Sequence, residues 1–538
     1  VSMSARLCFV LLCLLQLVAL LIGTDTSIVT TPLGQVKGND FRDHREFLNL
    51  PYAVPPVGKL RWTSPQAHPA WTNILDATAF GPGCQQDCVL PPNSCPLTLS
   101  EDCLQLNVFT PKLEFIEEHG GKLPVMVFFP GGRYEQGGAS TQLYNGTFLA
   151  NSTGVILVTS NYRLGAFGFL RVKDTFSGQC GIEDQQAALR WVQQNIASFG
   201  GDPSQVTIFG QSAGATSTTV HLCMPSSSGL FHRAIIESNP ISLPLKTVDE
   251  AEKLGSYFAQ DSKCKEDDLA CWQSLSVETI LSSQKNATKH IPYLEPLQLF
   301  LPFTPVVDGS TLKDQPLRML QKGEWVNKVP VILGSVGNEA LLFIYQAASA
   351  SLSKMEYEEA ILAVFHTASY DVLKQYPAKS VTGDHRDLMA KLGTEYMFFC
   401  AGRNALQAMA TQVPVYFYRF THLPSMNFWG PNYPMCDPLV HDVICHGTEL
   451  PFLFNTTSLP PGNFEPTEAE VALSDAMMLY WGGFAWSSDP NHFSPAVRWN
   501  PFMGDDMTML NLNTPPVMQN GTLEDNCAFW DKEGYDWP

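Results

Sequence analysis

Short runs of β-branched and aromatic residues alternate along this chain with stretches whose apolar residues recur at helical spacing. Residues 125–129, 155–159, 206–209, 329–333 and 415–420 are apolar or nearly so throughout, the pattern of strands covered on both faces. Between the second and third of these runs, Ala188, Leu189, Trp191, Val192 and Ile196 share one face of a helix spanning 185–199. Strand, helix and strand in succession predict an α/β fold with a large, mostly parallel sheet and helices on both faces. Stretches 240–300 and 340–400 read as helical and are expected to build a cap around the mouth of a site. Their apolar stripes read as core.

The third run leads directly into Gly210-Gln-Ser-Ala-Gly214. A serine on a sharp strand-to-helix turn needs a strained backbone, and side chains two positions either side of it would collide with neighbouring elements. Glycine at both positions relieves that crowding and leaves the Ser212 hydroxyl projecting above the sheet. A serine hydroxyl is a weak nucleophile at neutral pH, so an imidazole must take its proton and a carboxylate must orient the imidazole. On this kind of scaffold the order along the chain is serine, acid, histidine. His446, in a glycine-flanked loop, is the leading base, with His441 as its neighbour and rival. Glu339, a few residues past the run 329–333, is the leading acid, with Asp308 in a turn-forming Asp-Gly as the alternative. The glycines of Pro130-Gly-Gly-Arg-Tyr134 follow the run 125–129, where backbone N–H groups could face a developing oxyanion.

Composition narrows the picture. Among 538 residues, 45% hydrophobic and 16% charged content describe a well-buried globular chain. No linker, repeat or low-complexity segment divides it, so residues 25–538 are expected to form a single domain. The net charge of −19, with small acidic clusters such as Glu266-Asp-Asp268 and Asp505-Asp506, argues against nucleic acid as a partner. Arg6, the apolar run 7–22 and the small residues behind it read as a secretory signal peptide over residues 1–24. No later segment is apolar enough to span a bilayer and the tail is polar, so a secreted protein without a stable membrane anchor is expected. Sequons at Asn145, Asn151, Asn286, Asn455 and Asn520 agree with export.

Of the fourteen cysteines, Cys8 and Cys13 fall within the apolar N-terminal run. In an oxidising compartment the others are disulfide candidates. Spacing suggests Cys264–Cys271 and Cys436–Cys445 as small loops. For Cys84, Cys88, Cys95 and Cys103 three connectivities exist, and Cys88–Cys95 nested inside Cys84–Cys103 is preferred. Cys436, His441, Cys445 and His446 are metal-ligand types, but their spacing fits no standard zinc site. No metal and no cofactor is expected.

Several segments together resemble the type-B carboxylesterase/cholinesterase family of α/β-hydrolases. They include Ser100-Glu-Asp-Cys-Leu-Gln-Leu-Asn-Val108, Asn161-Tyr-Arg-Leu-Gly-Ala-Phe-Gly-Phe169, Phe199-Gly-Gly-Asp-Pro203, His446-Gly-Thr-Glu-Leu-Pro451 and Cys527-Ala-Phe-Trp530, and they cover nearly the whole mature chain. The resemblance implies the α/β-hydrolase fold, Ser212 as nucleophile, Glu339 as acid and His446 as base. It implies oxyanion donors at the backbone of Gly132, Arg133 and Ala213, a disulfide Cys400–Cys527 beside Cys84–Cys103 and Cys264–Cys271, and ion pairs Arg61–Glu101 and Arg163–Asp184. Cys180 and Cys223 are then left as free thiols.

Three departures from the family pattern matter. Arg133 stands where a third loop glycine is usual, Gln211 replaces the usual glutamate before the nucleophile, and the Cys84–Cys103 loop has no tryptophan to receive a quaternary ammonium. The expected activity is therefore that of a secreted serine carboxylic-ester hydrolase acting on small-molecule, non-choline esters through an acyl-enzyme. The alternative is an esterase-like binding or adhesion protein on the same scaffold.

Overall fold

Eleven strands hydrogen-bond into one sheet that organises the described residues, which in this computed structural model are 25–91, 94–291, 296–459, 463–504, 507–521 and 524–535. The expected signal segment 1–24 and the Asp505-Asp506 cluster lie outside them. In chain order the strands are β1 (Asn39–Asp40), β2 (His44–Pro51), β3 (Gln105–Pro111), β4 (Leu123–Phe129), β5 (Ile156–Ser160) and β6 (Gly201–Gln211). They continue with β7 (Arg233–Glu237), β8 (Val331–Val336), β9 (Val415–Phe420), β10 (Met509–Leu512) and β11 (Val517–Gln519). The spatial order is β11-β10-β9-β8-β7-β6-β4-β5-β3-β2-β1. Strands β4 to β10 run parallel to one another, and β1, β2, β3 and β11 complete the edges through antiparallel pairings.

Burial explains which strands announced themselves. Every residue of β4, β5 and β8 is buried, as expected where helices cover both faces. The helix Cys180–Asn195 connects β5 to β6, yet β6 pairs with β4, so this crossover passes over one strand. The apolar pattern passed over β7, whose five residues begin with Arg233 and end with Glu237. It also passed over β2 and β3, which carry buried polar groups. Asn107 in β3 is satisfied internally, donating to Thr159 Oγ1 at 3.0 Å and to the Ala139 carbonyl at 3.2 Å.

The expected cap is only partly realised. Val248–Ser262 packs on Val277–Ala287 and on the short strand Arg171–Val172, and neither helix lines the cavity above Ser212. From the second stretch, the helix Leu341–Ala347 does reach that cavity, through Leu342, Phe343 and Gln346.

The structure pairs Cys84 with Cys103, Cys88 with Cys95, Cys264 with Cys271, Cys400 with Cys527 and Cys436 with Cys445. Cys180 and Cys223 are buried free thiols, both pushed up by desolvation and so chemically quiet. Arg163 and Asp184 form a buried bidentate pair with both contacts at 2.7 Å, and Arg61 meets Glu101 through two contacts of 2.6 Å. Among the sequon asparagines, Asn151, Asn286 and Asn520 are exposed, whereas Asn145 and Asn455 are half-buried.

Candidate active site

The carboxyl ends of β4, β6 and β8 bring the candidate residues to one edge of the sheet, the edge where parallel α/β sheets place chemistry. Ser212 follows β6 and precedes the helix Ala213–Cys223, with φ 60° and ψ −125°. That conformation is costly for any residue with a side chain, and the flanking glycines let the chain reach it. A Cβ on Gly210 would stand 2.5 Å from the Gly214 backbone and 2.7 Å from the Phe129 carbonyl, and one on Gly214 would fall onto that same carbonyl. The helix N-terminus behind Ser212 directs its partial positive charge toward the site.

The loop after β4 approaches from the other side. A Cβ on Gly131 would meet the Gln211 carbonyl at 2.6 Å and Ser212 Cβ at 2.9 Å, so only glycine allows this contact. Gly132 has φ 117°, and Arg133 and Tyr134 follow at 60° and 61°. Among the described residues, the N–H groups of Gly132, Arg133 and Ala213 donate to no protein acceptor.

The Arg133 side chain, at the rim of the cavity that holds Ser212, is tied to the segment 296–300. Its Nε donates to the Phe300 carbonyl at 3.1 Å and Nη2 to the Leu299 carbonyl at 3.3 Å, with Glu135 Oε2 at 3.6 Å. The guanidinium therefore clamps the short helix Pro296–Phe300 to the glycine loop. Phe300 stacks edge-on against Phe343 at 4.6 Å, and Phe343 against the His446 ring at 5.0 Å.

Glu339 is fully buried in the loop after β8, where its Oε1 accepts the Val336 N–H at 2.7 Å and its Oε2 lies 2.5 Å from His446 Nδ1. The loops carrying Glu339 and His446 are laced together. Asn338 N–H donates to the Ile444 carbonyl at 2.9 Å, and its Oδ1 accepts the Ile444 N–H at 3.0 Å. Cys436–Cys445 pins the chain immediately before His446, whose ring is held between Phe343 and Phe398.

The rival residues lie elsewhere. Asp308 accepts the N–H groups of Ser310, Thr311 and Leu312, the work of a turn residue. His441 is exposed and lines a separate cavity of about 440 Å³ that contains neither Ser212 nor His446. Among the described residues, no group of three or more His, Cys, Asp or Glu side chains is placed to hold a metal ion.

Above Ser212 and His446 lies a cavity of about 90 Å³, walled by Leu143, Tyr144, Leu342, Phe343, Phe428 and Trp429. Beneath the site sit two acids that the sequence reading did not single out. Glu449 is pushed well above the usual carboxylate range by burial and then by its neighbours Glu339 and Glu237, and it accepts from Ser238 Oγ at 3.2 Å. Burial likewise pushes Glu237 up to about 8, although it accepts the Trp481 N–H at 2.6 Å. Burial thus disfavours the charged form of both acids beside Glu339. The signal for Glu449 was its place in the His446-Gly-Thr-Glu segment, three residues past the candidate base.

The model of the carboxylesterase family matches residues 25–530. The chain belongs to the carboxylesterase family. Its class is accordingly that of the carboxylic-ester hydrolases, and its fold is the α/β-hydrolase fold. It is similar to the crystal protein of Dictyostelium discoideum, 38% identical over 93% of this chain and 90% of the relative. The human cocaine esterase is 34% identical over 98% of this chain and 96% of its own. Among solved structures, a PNB esterase at 31% identity superposes with a TM-score of 0.79, covering 94% of this chain and 99% of that one.

Proposed function

We propose that this carboxylesterase-family chain hydrolyses small, uncharged carboxylic esters through an acyl-enzyme on Ser212, with His446 as base and Glu339 as its orienting acid. The observation that carries the reading is the 2.5 Å contact between His446 Nδ1 and Glu339 Oε2, with His446 and Ser212 on the wall of one cavity.

In the acylation step Ser212 Oγ attacks the ester carbonyl carbon while its proton passes to His446 Nε2. Glu339 steadies the imidazolium that forms. The carbonyl oxygen gains negative charge among the N–H groups of Gly132, Arg133 and Ala213, which donate to no protein acceptor among the described residues. His446 then gives the proton to the departing alcohol oxygen, the C–O bond breaks, and water releases the acid by the same sequence. Apolar walls favour uncharged esters, and the narrow cavity favours short acyl groups. The five disulfides support the further proposal that the protein is exported and works outside the cytosol.

The test is hydrolysis of p-nitrophenyl esters, from acetate to long acyl chains, by purified protein beside Ser212→Ala. Turnover greatest for acetate and butyrate and lost in the variant is the expected result. Equal release of p-nitrophenol by both folded proteins would overturn the proposal.

A further inference from the structure

Gln211, the last residue of β6, reaches across the site rather than away from it. Its side chain is buried, and its Nε2 lies 3.1 Å from His446 Nε2. A glycine makes the room: a Cβ on Gly131 would stand 3.0 Å from Gln211 Oε1. The other imidazole nitrogen is committed to Glu339. With Nδ1–H donating to that carboxylate, Nε2 carries the lone pair, and the group facing it must be a donor. The amide N–H of Gln211 therefore occupies the lone pair that has to receive the Ser212 proton. Among the described residues, Ser212 Oγ has no hydrogen-bond partner.

We infer that Gln211 is a positioning residue that holds the resting base by Nε2 until substrate brings Ser212 into contact with it. The inference rests on the Ser212–Glu339–His446 reading and deepens it. A hydrogen bond to the uncharged form of a base disfavours its charged form, so removing the donor makes protonation easier. A carboxylate at the same place would do so more strongly.

Gln211 faces Nε2, and the other groups reach the ring from other sides. Glu339 faces Nδ1 from the loop after β8. Burial disfavours the charged forms of Glu449, on the ring's own loop, and of Glu237, at the end of β7. Phe343 and Phe398 bring no charge, Arg133 is turned toward Leu299 and Phe300, and Arg419 on β9 acts on Glu339 from behind. Exposed His441 and Asp442 lie on the same loop.

The decisive measurement is the pH dependence of kcat/KM for p-nitrophenyl butyrate with the parent enzyme, Gln211→Leu and Gln211→Glu. Leucine keeps the bulk without the donor, and glutamate replaces the donor with a charge. The expected order of the acid limb is parent lowest, Leu higher, and Glu highest, with Glu displaced upward by about 1–3 pH units. Gln211→Met serves the same purpose if the branched side chain prevents folding. Superimposable acid limbs in active variants would overturn this inference alone. Absence of Ser212-dependent turnover in the parent would overturn the triad reading and this one together.

Discussion

Arg133 holds a left-handed backbone conformation, at a cost of about 1–2 kcal/mol, where glycine would sit freely. The compensating contacts are its hydrogen bonds to the Leu299 and Phe300 carbonyls, so its side chain acts on the cavity wall and leaves its N–H for the proposed oxyanion role. Arg133→Ala is expected to release the segment 296–300, with amide exchange there about tenfold faster by mass spectrometry. The same variant is expected to raise turnover of bulkier esters relative to acetate, because Phe300 no longer braces Phe343. Unchanged exchange would show that the clamp contributes nothing. At this scale the glycines around Ser212 marked its turn, whereas the preference for Glu339 over Asp308 and for His446 over His441 leaned on the family resemblance. The orientations of Gln211 and Arg133 were not legible, since a side chain's direction depends on which distant carbonyl or nitrogen it finds.

Elements place these residues through close backbone approach. The turn between β6 and its helix touches the end of β4 so tightly that Gly214 has no room for a methyl group. Gly214→Ala is expected to lower the urea midpoint by the equivalent of about 1–3 kcal/mol and to cut kcat sharply, because the shift needed to accept it moves Ser212. Cys436–Cys445 performs a similar service for the base. Replacing both cysteines with serine is expected to reduce kcat more than it raises KM, the mark of a misplaced His446 in a folded enzyme. The strands that support these turns were readable where both faces are buried, as in β4 and β8. β7 was not, because a five-residue strand flanked by charges gives no period to detect, and Glu237 is accommodated only through Trp481 and protonation. Sheet order was equally invisible. That β6 lies against β4 rather than β5 follows from the three-dimensional crossover.

For the whole molecule, the buried acids link stability to pH. Glu237 has an ordinary value of 4.5 and is raised to about 8 in the folded protein, so between these limits the folded state holds a proton that the unfolded chain has released. Stability therefore falls as pH rises through this window, by about 1.4 kcal/mol per unit for this group. Glu449 acts in the same direction. Glu237→Gln is expected to flatten the decline in Tm between about pH 5 and about pH 8. A decline as steep as the parent's would show that another group sets it. The proposed nucleophilicity of Ser212 is tested most directly by a diethyl phosphoryl ester of p-nitrophenol. Attack by Ser212 should release p-nitrophenol and leave one diethyl phosphoryl group on the peptide containing Gly210 to Gly214, with no labelling of Ser212→Ala. A folded protein that stays unlabelled, or is labelled equally in the variant, would contradict the account.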